Sequence, residues 1–154
     1  MTDYNHSEEI TALNTLTATT IDSVNGYEDS AKNVDSERLR ELFRKRADER
    51  QQVVEQLRGE VRRLGGNPED DGSIMGKTHQ VFEDIKAAIT GRDEKAIINE
   101  VERGEDYIKG KYEAVLKSDA LSGDCRSVVE QAFQSVREGH DQISQIKHSM
   151  EAAS

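Results

Sequence analysis

One cysteine, one proline and no tryptophan occur in 154 residues, and aromatic side chains make up only 5% of them. A lone thiol, Cys125, excludes an intrachain disulfide, which makes a reducing cytoplasm the expected setting. With Pro68 as the single proline, the chain lacks the breakers that a turn-rich fold requires. No stretch approaches the roughly 18 apolar residues of a membrane span. The opening MTDYNHSEEI has neither an apolar run nor a basic start, so no signal peptide is expected there. A clustered cationic face is missing as well: the net charge is −10, whereas nucleic acid needs a basic patch. Neither nucleic acid nor membrane is an expected partner. There is no glycine-rich phosphate loop, because Gly65, Gly66 and Gly72 sit among turn residues.

What the chain has is helical periodicity. Hydrophobic and charged residues each make up 34%, the balance of long amphipathic helices with one apolar stripe and a solvated remainder. The length fits one domain, 1–154, large enough to bury a core without staples. The 3–4 spacing predicts helices over about 7–33, 37–64, 74–89, 93–117 and 124–150. Their seams carry Leu13, Thr17, Thr20, Val24 and Tyr27, then Phe43, Arg46, Arg50, Val53 and Leu57. The short third helix offers Met75, Phe82, Ile85 and Ile89. The last two offer Ile98, Val101, Glu105, Ile108 and Tyr112, then Val129, Phe133, Val136, His140 and Ile143. Asp35 or Ser36 can cap the second helix, Gly65-Gly66 ends it, and Glu151 to Ser154 is expected to fray.

Connection lengths constrain the arrangement. A two- or three-residue turn makes the first two helices antiparallel neighbours, and about six residues do the same for the last two. Nearly thirty residues separate the second helix from the fourth. They are enough to cross the length of a four-helix bundle while carrying the short extra helix. A simple five-helix array is the alternative.

The runs LGGNPEDDGS (Leu64 to Ser73), GKTHQVF (Gly76 to Phe82) and TGRDEKAIINEVERGEDYIKGKYEAVL (Thr90 to Leu116), with LNTLTATTIDSVNGYEDSA (Leu13 to Ala31), resemble a bacterial four-helix-bundle family of unknown function in the ferritin-like superfamily. The resemblance covers roughly Ile10 to Met150, and the block Glu102-Arg103-Gly104-Glu105-Asp106 is its most specific part. It implies an all-α, ferritin-like antiparallel bundle with a long crossover, and no established activity. Ferritin-like di-iron enzymes place a Glu on each of two helices and a Glu-x-x-His on each of the other two. Glu105, seven residues before Tyr112, matches one lone Glu, and His140 fits one His. Thr20, Arg50, Val53 and Arg137 stand at the remaining ligand positions, and no Glu-x-x-His occurs in the chain. A di-iron site is therefore not expected. Any metal that did bind would use Glu105 and His140.

The other chemistry-bearing residues have plain readings. His6 and His148 lie near the ends, and His79 starts the short helix. Cys125 has no evident His partner, Tyr27 and Tyr112 fill core, and no nucleophile, base and orienter can be assembled. The inward heptad positions instead bring together Thr20, Arg46, Arg50, Glu105 and His140 as a structural polar cluster. In it Arg50, with Arg46, pairs with Glu105, while Thr20 and His140 satisfy the remaining groups. The alternative is that both arginines snorkel to the surface. The leading functional expectation is a non-enzymatic helical bundle without cofactor, acting through a protein partner or homo-oligomer, with a stress-related role in view. A degenerate metal-carboxylate protein that binds iron or another divalent cation, ferroxidase-like in chemistry, is the alternative. A small-molecule binder within the bundle is a third.

Overall fold

The computed structural model describes residues 2–68 and 93–153. Every element among the described residues is an α-helix: α1 Thr2–Asn33, α2 Glu37–Arg63, α3 Glu94–Lys117 and α4 Gly123–Ala152. The short helix expected over 74–89, with Met75, Phe82, Ile85, Ile89 and His79, lies outside the described residues.

The helix ends have local causes. The Ser36 Oγ accepts a hydrogen bond from the Leu39 amide at 3.2 Å, and Asp93 Oδ1 accepts one from the Lys95 amide at 3.1 Å, so each occupies an otherwise orphaned donor. Gly65 ends α2 at φ +86°, a left-handed conformation that glycine alone adopts without a steric cost. Its amide then reaches Arg62 O and the Gly66 amide reaches Val61 O, which satisfies the last carbonyls of α2. Two boundaries differ from the sequence reading by more than one residue. The first helix begins at Thr2 rather than near residue 7, since no glycine or proline interrupts the segment. The last one runs to Ala152 instead of fraying after Met150, because Glu151 and Ala152 are good helix formers.

Shared core clusters give the directions of the helices. Tyr27, Phe43, Ile98 and Ile143 belong to one apolar cluster, and Leu13, Leu57, Tyr112 and Val129 to another. Thus α1 runs from the second cluster to the first, α2 returns, α3 runs the same way as α2, and α4 runs back. α1 packs on α2 and α3, and α4 packs on α3 and α2. The C-terminus of α2 and the N-terminus of α3 consequently lie at opposite ends of the bundle.

From Leu16 to Val24, α1 is buried on every side, although five of these residues, Thr17, Thr19, Thr20, Asp22 and Ser23, are polar. The three threonines stay satisfied within the helix. Their hydroxyls donate to the carbonyls four residues back, Leu13, Thr15 and Leu16, at 2.7, 2.9 and 2.7 Å. The two larger apolar clusters do not merge, and Ile21, Val24 and Val54 form a small third one. Between the larger two sits a layer of polar side chains.

Candidate functional site

Arg50 and Glu105 form that layer, with side chains 0% and 2% exposed. Arg50 stands one helical turn after Arg46 on the inner stripe of α2, and Glu105 occupies the inner stripe of α3. The guanidinium holds the carboxylate with both arms: Nη1 donates to Oε1 at 2.8 Å and Nη2 to Oε2 at 2.6 Å. Nη1 also donates to Ser23 Oγ on α1 at 2.6 Å. The Tyr27 ring lies 5.6 Å from Arg50 Cζ, a cation–π distance. On the far side α4 presents Gly139, where an added Cβ would come within 2.5 Å of Arg50 Nη2 and 3.1 Å of Arg46 Cδ and Nε. All four helices therefore shape the space around one guanidinium. Among the described residues its Nε has no hydrogen-bond partner, nor does the buried Ser30 Oγ.

Burial works against the charge of Arg50, but the Glu105 carboxylate and its hydrogen bonds outweigh it, so the arginine is held more firmly protonated than usual. Burial, and then the charge of Glu105, keep the Tyr27 phenol well above its ordinary value. Tyr112 is pushed up to about 12 by burial, against a lowering effect of its hydrogen bond with Thr20. None of these groups is placed to exchange protons near neutrality.

The structure separates the rest of the expected cluster. Thr20 shares a 2.8 Å hydrogen bond with the Tyr112 hydroxyl and also bonds Leu16 O, so it does not serve Arg50. Ser23 takes that place because it lies one turn further along α1, level with the guanidinium. Arg46 does not reach Glu105: it donates to Glu49 at 2.7 Å and to Gln142 on α4 at 2.5 Å. His140 does not join the ion pair: it meets Asp106 on α3 at 2.6 Å and Asp141 at 3.2 Å. Three residues that matter here, Ser23, Gly139 and Gln142, were missed in the sequence. Gly139 carried a signal, since a glycine inside a helical pattern marks a close approach.

The fit to a metal centre can be judged from these donors. Both oxygens of Glu105 are taken by the Arg50 fork, and His140 belongs to a different pair at the rim. Among the described residues no group of three or more His, Cys, Asp or Glu side chains is placed to hold a metal ion. The described residues do not fit a di-iron group. Cys125 is buried near the other end, where burial and then the neighbouring Glu9 raise its thiol to about 12, so it is no reactive thiolate. A groove of about 460 Å³ between α2 and α4 is lined by Leu39, Leu42, Ile146 and Met150 among others, and it gathers no convergent reactive groups.

Residues 8–118 match the model of a family described as Domain of unknown function (DUF2383). No curated protein matches the chain. Among the described residues no helix is long and apolar enough to cross a membrane.

Proposed function

We propose, from the premise that this chain belongs to the DUF2383 family, that it is a non-catalytic helical bundle whose centre is a structural ion pair, and that it acts through a protein partner or further copies of itself. One observation carries this reading: a fully buried guanidinium grips the one acid of the α3 inner stripe with both arms. In a ferritin-like bundle the central space holds metal between helix-borne carboxylates. Here a cation that cannot be deprotonated would fill that space from within the chain. The net charge of −10 supports partners recognised through an acidic surface rather than nucleic acid.

The ferritin-like arrangement belongs to the same reading. Its support is that α2 and α3 run in one direction, which calls for a crossover along the bundle between them.

Aerobic titration of the purified protein with ferrous iron tests the reading. The expected result is no saturable uptake and no accelerated iron oxidation. Uptake of about two irons per chain would favour the metal-carboxylate alternative.

A further inference from the structure

His140 sits on the seam between α3 and α4, with its side chain 14% exposed, and each ring nitrogen faces a different carboxylate. Nε2 meets Asp106 Oδ1 on α3 at 2.6 Å, and Nδ1 meets Asp141 Oδ1 on its own helix at 3.2 Å. An imidazolium donates from both nitrogens, whereas a neutral imidazole has a single N–H and turns a lone pair toward the other carboxylate. The geometry is thus complete only for the protonated ring. One turn along α3 from Asp106, and further along α4 from His140, Lys147 donates to Glu102 at 2.8 Å, a tie whose charges persist through neutral pH. Beside His140, Gly139 packs against the guanidiniums of Arg50 and Arg46, so the clamp lies level with the buried pair.

We propose that His140 is a pH-responsive clamp that holds α3 against α4 beside the buried ion pair when protonated and loosens that seam when it loses its proton.

The charged groups around His140 are Glu102, Asp106 and Lys109 from α3, Asp141 from α4, and Arg46, which α2 extends against Gly139. Burial and Lys109 disfavour its charge, while Asp141 and Asp106 favour it, and the pair of carboxylates prevails: the histidine is raised above its ordinary value. The sign follows from linkage. Because the folded protein binds the proton more tightly than the unfolded chain, the stabilisation is fully present below the unfolded pKa of about 6.5 and is lost as pH rises through the raised folded value.

Proton NMR titration of the folded protein, with the His140 resonance assigned by its absence in His140→Gln, should give a midpoint above about 6.5. Hydrogen exchange from about pH 6 to about pH 8.5, corrected for the intrinsic base dependence, should show protection falling several-fold at the level of Asp106 and His140. The level of Leu13 and Leu57 should stay unchanged. Asp106→Asn, which leaves Asp141 in place but removes the carboxylate across the seam, should lower the midpoint and abolish the local loss of protection. A midpoint at or below the ordinary histidine value, or the same loss of protection in His140→Gln, would overturn the clamp.

Discussion

At the residue scale, the energetics turn on which way a buried charge is compensated. Removing water from a guanidinium and a carboxylate costs several kcal/mol for each ion, and their attraction with good hydrogen bonds roughly returns it. The pair at Arg50 and Glu105 has that geometry, so its net stabilisation is small while its loss is expensive. Glu105→Ala leaves the guanidinium uncompensated among Tyr27, Ser23 and Gly139, and should lower stability by about 3–5 kcal/mol in urea unfolding. Replacing both partners, as Arg50→Met with Glu105→Leu, should recover most of that loss, since apolar substitutes of similar volume are often neutral. A deficit below about 1 kcal/mol in the single variant would show the pair behaving as a surface bridge. That Arg50 and Glu105 face inward was legible from their heptad positions. The choice of Ser23 over Thr20 was not, because three residues, about 4.5 Å of rise, separate them and the axial offset between helices decides which is level.

At the scale of elements, the two tight connections are closed by the same device. Arg40, in the first turn of α2, donates to Ala31 O and Val34 O at the end of α1. Arg126, in the first turn of α4, donates to Leu116 O and Ser118 O at the end of α3. Each covers carbonyls that a helix end leaves without partners, and each puts a cation at the negative end of the helix dipole. Arg126→Ala should therefore cost about 1–2 kcal/mol and raise hydrogen exchange over the last turn of α3, leaving its N-terminal half unaffected. Exchange spread evenly over α3 would contradict this. The caps at Ser36 and Asp93 and the stop at Gly65 could be read directly, since capping is a contact between near neighbours in sequence. The arginine latches could not, because they span a turn whose path the sequence leaves open.

At the scale of the whole molecule, the directions of the helices are the testable feature. α2 ends at the Leu57 and Val129 end of the bundle, and α3 begins at the Phe43 and Ile143 end. Spin labels at Arg62 and Lys95 should read a separation near the full length of α2, about 40 Å for its 27 residues. An alternating up-down-up-down bundle would bring those labels close together, so a short distance would exclude the arrangement described here. The separation of the two larger apolar clusters by a polar layer also acts at this scale. Sliding one helix by a turn would strand Arg50 against an apolar cluster, a registry role of the kind attested for polar residues in coiled coils.

The sequence by itself determined the four described helices, most of their ends and the inward stripe of each, because period, caps and breakers act over three or four neighbouring residues. It also placed a cation and an acid on stripes that must face one another. Only the tertiary structure decided which polar groups meet: Arg50 with Glu105 and Ser23, Arg46 with Gln142, and His140 with Asp106 at the rim. Those pairings depend on the heights at which four separate helices come to rest. The heights are set by packing of the apolar clusters above and below, a sum over the whole bundle that no local stretch encodes.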